Sequence, residues 1–191
     1  MVYTMLDLAN IIPDEILGIN SDIKIKKEIR EQEILISGKY KNGREFKLRL
    51  NRFINESLFY IGLGLFGGEG TKISTEEKKT WKGTPFEIAN SNPEIIRKIM
   101  QLLNQLGIPK NIISPRLQIR ITKKELEEGI VEKLIEFWSR NLQIPKEKFR
   151  KPSIRIKETP MRSPHGTITI RANPSILGQL FNYWMNLFLE D

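Results

Sequence analysis

The sequence contains no cysteine and a single histidine, His165, and these two shortages exclude whole classes of site. Without cysteine, neither disulfide bonds nor thiolate metal sites can form. One histidine cannot build a zinc site that needs several histidine ligands. No apolar run reaches the length that spans a bilayer, and the first residues do not have the pattern of a signal peptide. We therefore expect a soluble, cytoplasmic protein that does not contact a membrane.

The chain is also short of negative charge. It has 31 lysines and arginines against 23 aspartates and glutamates, which gives its 191 residues a net charge of +8. A positive excess attracts polyanions, most commonly nucleic acid, although some basic proteins bind none. Hydrophobic residues make up 39% of the chain, which is enough for a packed core. The abundance of isoleucine, lysine and glutamate is typical of a thermophile.

The patterns along the chain predict two parts, a leader over residues 1–50 and a larger domain over residues 51–191. In the leader, residues 6–16 are predicted to form a short helix. The apolar run Ile34-Leu35-Ile36 and the alternating run over residues 46–50 flank Asn42-Gly43, and Asn-Gly in that position is a strong signal for a β-hairpin. We expect one compact body with an N-terminal hairpin.

The larger domain contains both strand and helix signals, but it lacks regularly alternating βαβ units. Asn92-Pro93 has the residue types that begin a helix. Thr122 and Glu125 have the spacing of a capping box for the next helix. Asn173-Pro174 begins the last helix in the same way.

Three predicted strands each have one polar and one apolar face, because side chains alternate across a strand. Ile154 and Ile156, for example, are expected to face the core, away from Arg155. The polar faces carry our candidates for binding double-stranded DNA: Arg116, Gln118, Arg120, Lys151, Ser153, Arg155, Lys157, Thr167, Thr169 and Arg171. These residue types contact phosphates and base edges, whereas RNA fits less well because aromatic stacking residues are missing. The plainer alternative is a solvated outer face, although such a face normally mixes both signs of charge.

A glycine-rich segment over residues 62–70 allows three interpretations. Gly62, Gly64 and Gly67 match the GxGxxG spacing of a dinucleotide-binding turn, but residues 68–84 lack the helical period that such a site needs directly afterwards. The segment also fits a buried helix that is apolar on all sides and ends in a glycine cap. Glycines would cost that helix about 1 kcal/mol each, which close approach of a second helix would offset.

In the third interpretation the segment resembles the nine-residue signature of the LAGLIDADG homing endonucleases. Gly64 stands at the central glycine, Gly68 at a small residue, Glu69 at the acid and Gly70 at the closing glycine. The likeness extends over about residues 52–188. Within it, segments such as Phe137-Trp138-Ser139, Ile144-Pro145 and Gly166-Thr167 resemble a LAGLIDADG-like subgroup found in archaea and bacteria.

The sequence also departs from the signature. Gly67 replaces its first acid, Gly62 stands where the family prefers leucine, and only one motif is present. Family members with one motif act as homodimers. The resemblance therefore implies a homodimer through the helix that contains Leu58 and Gly68, with Gly64 and Gly67 at the helix interface.

The resemblance further implies an α+β fold, in which a curved antiparallel sheet has a basic face for DNA and helices are packed behind it. Glu69 would be the catalytic acid and, with Gly68, would bind Mg²⁺ if the protein cleaves DNA. A basic residue is expected near the centre, and Lys151, Lys157 and Lys124 are candidates. The favoured activity is a Mg²⁺-dependent, site-specific endonuclease. The alternative is a transcriptional regulator that kept the DNA-binding scaffold and lost cleavage.

Overall fold

The structure is a computed structural model, and it describes residues 4–16, 23–40, 42–70, 85–159 and 163–189. Five helices lie in these ranges: α1 (Glu56–Glu69), α2 (Pro93–Gln105), α3 (Lys123–Glu127), α4 (Ile130–Leu142) and α5 (Ile176–Leu189). Ten strands accompany them: β1 (Met5–Asp7), β2 (Glu15–Ile16), β3 (Ile23–Ile29), β4 (Glu33–Lys39), β5 (Glu45–Asn51), β6 (Phe53–Asn55), β7 (Phe86–Asn90), β8 (Ile113–Ile121), β9 (Arg150–Ile156) and β10 (Thr167–Ala172). The predicted α+β class is confirmed.

The first of two larger sheets is antiparallel and has the order β2-β3-β4-β5. Its β4 and β5 are joined by the turn at Asn42 and Gly43, where the sequence predicts a hairpin. Gly43 has a φ of +79°, which residues with a side chain rarely adopt. The Asn42 Oδ1 accepts a hydrogen bond from the Arg44 amide at 3.0 Å. The turn is therefore stabilised by its own local chemistry.

The helix predicted over residues 6–16 is wrong. The segment contains β1, a 3-10 helix at Leu8–Asn10 and β2 instead. β1 pairs antiparallel with β6, and the Arg52 Nη2 donates to the Asp7 Oδ2 at 2.8 Å. The side-chain hydrogen bonds from Arg52 lower the pKa of Asp7. A partner strand about 50 residues away decides this structure, and local apolar spacing carries no record of such a partner.

The second sheet has the order β7-β10-β8-β9. β10 pairs antiparallel with both β7 and β8, in agreement with the antiparallel sheet that the resemblance implies. β8 and β9 run parallel. Parallel neighbours need a crossover connection, and α3 and α4 provide it along the chain between β8 and β9. One pair of this sheet therefore departs from the antiparallel expectation.

Helices pack against this sheet around a hydrophobic core to which both sheets contribute. α1 contacts α2 and α5, and its Phe59, Leu63 and Phe66 are fully buried. The predicted helix starts at Asn92 and Thr122 are confirmed, because both side chains accept hydrogen bonds from amides of the first turn. No helix in the described ranges combines the length and the apolar character needed to cross a membrane.

The first sheet and its strand connections contact α5, and Asn51 at the end of β5 also donates hydrogen bonds to the Gln105 and Leu106 carbonyls at the end of α2. The Trp184 Nε1 donates to the Ile11 carbonyl at 2.9 Å, and the Ile176 amide donates to the Tyr40 hydroxyl at 3.0 Å. Burial at this contact raises the pKa of Tyr40. The leader is thus attached by specific hydrogen bonds as well as by apolar packing. Its boundary near residue 50 stays a prediction.

Candidate nucleic-acid interface

One face of the second sheet is polar along its two central strands. In β8, Leu117, Ile119 and Ile121 are buried, whereas Gln118 and Arg120, which point the other way, are exposed. β10 repeats the pattern, with Ile168, Ile170 and Ala172 buried and with Thr167, Thr169 and Arg171 on the polar face. The register places Thr169 opposite Arg116 and Thr167 opposite Gln118. The predicted grouping of these polar residues on one surface is therefore realised.

The edge strand β9 differs from the expectation in its apolar residues. Ile154 and Ile156 are 37% and 45% exposed, so the prediction that both face the core is wrong. Their partners in β8, Ile119 and Ile121, are buried. Alternation sets which face a side chain occupies, but it does not say whether helices cover that face. At this edge the helical layer leaves the apolar face partly open.

A β-bulge changes which basic residue of β9 lies opposite Arg116 in β8. Ser153 lies opposite Gln118, and the register then shifts, so that Arg150 rather than Lys151 lies opposite Arg116. An extra residue in one strand breaks simple alternation. Arg150 is therefore a candidate that the sequence pattern missed, because a bulge leaves no period for sequence reasoning to detect. Lys151 is exposed beside it.

The opposite edge strand, β7, brings an acid to the same face. Glu87 lies opposite Arg171 in the antiparallel ladder, and paired residues share a face of the sheet. This residue was absent from the three strands from which the basic face was predicted. The face therefore runs from mixed charge at β7 to purely positive charge at β9.

The cations of the polar face have no ion-pair partners among the described residues. This holds for Arg116, Arg120, Arg150, Lys151, Arg155, Lys157 and Arg171, whereas the ion pairs of that part of the chain lie elsewhere. On the first sheet, by contrast, Arg49 pairs with Glu33 at 2.6 Å and Lys39 with Glu45 at 3.1 Å. The polar face of the second sheet therefore keeps its positive charge available to an external anion.

A groove of about 650 Å³ lies where β8, β9 and the start of β10 meet. Its walls carry cations, hydroxyls and an amide and no carboxylate among the described residues: Gln118, Ile119, Arg120, Ser153, Arg155, Lys157, Thr159, Ser163, Gly166 and Thr167. Thr159 and Ser163 come from the β9–β10 connection and were missed from the sequence, because their place beside Arg120 depends on how the loop folds back.

Contacts with α4 hold one arm of that connection in place. The Trp138 Nε1 donates to the His165 carbonyl at 2.7 Å, and the His165 ring stacks on Phe137 with ring centroids 4.1 Å apart. Gly166 has a φ of +64°, and a Cβ there would clash with Ile119. His165 is thus a structural residue of the loop. The groove wall is fixed by packing before any ligand arrives.

Two polar side chains at the centre of the face are unusually well defined. The Gln118 Nε2 donates to the Thr169 Oγ1 at 2.6 Å, and Thr169 is only 5% exposed. Beside them, the Arg116 Nε is buried and has no hydrogen-bond partner among the described residues. A buried donor without a partner is costly in a folded protein. Such a donor is typical of a position that binds a ligand rather than one that stabilises the fold.

The glycines of α1 differ in what surrounds them. A Cβ at Gly62 would clash with Leu102 of α2, so this glycine permits close packing within the chain. At Gly64 and Gly68 a Cβ would meet nothing within 4 Å, and both are exposed. Gly67 is half-buried. The helix interface predicted at Gly64 therefore has no partner helix in the described part of the chain.

Glu69 is the last residue of α1, and its side chain is exposed. Gly70 forms an antiparallel bridge with Ile88, which sets the end of α1 beside β7. Within the described residues no three His, Asp or Glu side chains come together as a metal cluster. Among the described residues, Glu69 is the carboxylate that α1 presents at its C-terminal end.

The structure does not bring the predicted catalytic lysines to Glu69 of the same chain. Lys151 lies in β9 and Lys157 directly follows it, and β9 is three strands away from β7. At about 4.8 Å between neighbouring strands, that separation is roughly 14 Å. Lys124 lies in the first turn of α3 and forms a long ion pair with Glu128. The described cation nearest to β7 in the ladder is Arg171, opposite Glu87.

Residues 63–134 match a protein-family model described as LAGLIDADG-like domain. The matched range begins in α1, includes Glu69 and ends in α4, so it covers β7, α2, β8 and α3 but neither β9 nor β10. No curated protein and no solved structure matches the chain.

Proposed function

The match over residues 63–134 supports membership of the LAGLIDADG homing endonuclease family, and from that premise we propose that the protein binds double-stranded DNA and cleaves it at specific sites with a divalent metal ion. The observation that carries the proposal is the polar face of the second sheet. Its cations lack ion-pair partners in the described part of the chain, although the same chain pairs its cations elsewhere. A regular polyanion is the ligand that such a face fits.

The two halves of the face have different chemistry and so different proposed roles. The groove at β9 offers Arg120, Arg155, Lys157 and hydroxyls, which suit phosphate oxygens. The centre offers Gln118 and Arg116, which suit base edges in the major groove, and Gln118 is bonded to the buried Thr169. Lys151 and Lys157 are proposed as phosphate ligands at the outer edge. Their predicted support of catalysis is weakened by the distance from β9 to Glu69.

The donor set at the end of α1 fits a divalent ion that is shared with other ligands. Mg²⁺ usually takes one or two carboxylates, while phosphates and waters complete its shell. Glu69 offers an exposed carboxylate with no ion-pair partner among the described residues, and the negative end of the α1 dipole favours a cation. Glu69, with the backbone at Gly68, would hold the ion. Bound there, the ion would polarise the scissile phosphate.

A homodimer through α1 completes the proposal. Gly64 and Gly68 lie on one exposed side of the helix, one turn apart, and Ile61 on the same side is 50% exposed. Small residues let a second helix backbone come close. A second copy of α1 on this side would bring a second Glu69 to the same end of the interface. Two carboxylates near each other require cations between them.

Metal-dependent cleavage of a random-sequence DNA library tests the enzyme. The wild-type chain should cut a subset of sequences with Mg²⁺ and none with a chelator. Glu69→Gln keeps the size of the side chain and removes its charge. We expect cleavage to fall by about a hundredfold or more, because several kcal/mol of charge stabilisation is lost. Glu127→Gln, an exposed acid on α3, should leave cleavage unchanged.

The same assay separates the enzyme from a DNA-binding regulator. The lone carboxylate at the end of α1, without a metal cluster in the described residues, is the observation that favours the regulator. Salt-sensitive binding of DNA without cleavage at any Mg²⁺ concentration would support it. If the wild-type chain fails to bind DNA even at low salt, both functions are excluded.

A further inference from the structure

Gln118 occupies the middle of the polar face. It lies between Arg116 and Arg120 along β8, opposite Thr167 on one side and Ser153 on the other. All of these neighbours are polar, and two of them are unpaired cations. A side chain at this point would face the floor of a DNA groove while its neighbours contact the strands that border it.

The hydrogen bond to Thr169 removes most of the freedom of Gln118. A glutamine amide has two N–H donors and one carbonyl acceptor, and an unrestrained amide can rotate to meet any base edge. Here one N–H is donated to the Thr169 Oγ1. Because Thr169 is almost fully buried in β10, its hydroxyl is a fixed anchor. The second N–H and the Oε1 have no partner among the described residues.

One donor and one adjacent acceptor are what adenine requires in the major groove. Its N7 accepts a hydrogen bond and its N6 amino group donates one. Guanine presents two acceptors there, and cytosine and thymine cannot accept and donate to the same amide in this way. An amide held in this position by Thr169 therefore presents a donor and an adjacent acceptor to one base, whereas an unrestrained side chain could swing to another base.

From this geometry we infer that Gln118 reads an adenine in the DNA site, and that Thr169 is the positioning residue that fixes its amide. The inference rests on the proposed function, because it takes duplex DNA as the ligand. It adds which base is recognised and which residue sets the specificity. In a homodimer the requirement would occur once in each half of the target.

Selection of bound sequences from a random duplex library, without Mg²⁺, tests the inference. The wild-type chain should enrich adenine at one position of each half-site by about five- to a hundredfold over the other bases. Gln118→Ala should abolish the enrichment at that position alone. Thr169→Val deletes the hydroxyl while keeping the branched shape of the side chain, and should relax the preference at the same position. If Thr169 had a purely structural role, its replacement would not change the base preference at one position of the DNA site alone.

Two controls make the result specific. Thr167→Val removes a hydroxyl that does not bond to Gln118, and should leave adenine enriched at the position even if affinity falls. Gln101→Ala, on the exposed side of α2, should change neither affinity nor preference. The inference is overturned if the wild-type chain does not enrich adenine at any position, or if the enrichment persists in Gln118→Ala. It is also overturned if Thr169→Val keeps the preference for adenine. Absence of any DNA binding would instead overturn the proposed function itself.

Discussion

Gly62 shows at the residue scale how a departure from a family signature can be compensated within the chain. Leucine is expected at this position, but here α2 brings Leu102 against the α1 backbone. The small residue and the large neighbour therefore fill one volume between them. Gly64 and Gly68, two and six positions further on, have no such neighbour among the described residues. Glycines that look equivalent in the sequence thus occupy their positions for different structural reasons.

We predict that Gly62→Ala destabilises the fold by about 1–3 kcal/mol, since a methyl group would be forced into a filled space. Urea denaturation measures the loss. Leu102→Ala should cost about 2–5 kcal/mol alone because it opens a cavity. The double variant Gly62→Ala, Leu102→Ala should lose less than the sum of the two, since the alanine methyl partly refills that cavity. Additive losses would show that the two residues do not share a volume.

At the scale of elements, one side of α1 is buried and the opposite side is exposed. One side is buried against α2 and α5 through residues such as Phe59 and Leu63. The other carries Ile61 and Gly64 in the open. A helix that is apolar on both sides is expected to be covered on both. The described chain covers only one of them, which is the physical basis for proposing a second copy as partner.

Gly64→Val tests that partner. A branched side chain between two closely packed helices should weaken the dimer by about 1–3 kcal/mol, which is roughly a five- to hundredfold rise in the dissociation constant. Analytical ultracentrifugation over a range of concentrations measures it. Gln101→Val places the same residue on the exposed side of α2 and should leave assembly unchanged. A wild-type chain that stays monomeric with DNA bound would contradict the proposed dimer.

Across the whole molecule, the two larger sheets differ in whether their basic side chains form ion pairs. On the first sheet, cations such as Arg49 are held by neighbouring acids. On the second, the cations around the β9 groove form no ion pair with an acid of the described residues. The net charge of +8 alone does not reveal this difference. A chain of the same composition with evenly mixed surfaces would have much less attraction for DNA.

The salt dependence of DNA binding checks this distribution. Each phosphate contact contributes about −0.9 to the slope of log K against log salt concentration on B-DNA. Arg120→Gln and Arg155→Gln should each reduce the magnitude of the slope by about that amount. Arg49→Gln removes the same charge from the first sheet, and should leave the slope nearly unchanged. Equal effects of Arg49 and Arg120 would indicate diffuse attraction rather than a defined interface.

The sequence by itself determined the features that depend on neighbours in the chain. The caps at Asn92 and Thr122 form because side chain and amide are two or three residues apart. The polar face of β8 and β10 follows from alternation, which is a property of the extended backbone. The glycine segment and Glu69 were found because they form a contiguous motif, and the family match includes Glu69 and the segment from residue 63 onward.

Only the tertiary structure decided which surfaces meet. The exposure of Ile154, the bulge that exchanges Lys151 for Arg150, and the place of Glu87 opposite Arg171 all depend on strand order and register. These are set by packing between residues far apart in the chain, and no local pattern records them. The glycine motif was therefore visible at once, while the base-reading geometry of the sheet became visible only when Gln118 and Thr169 were brought together.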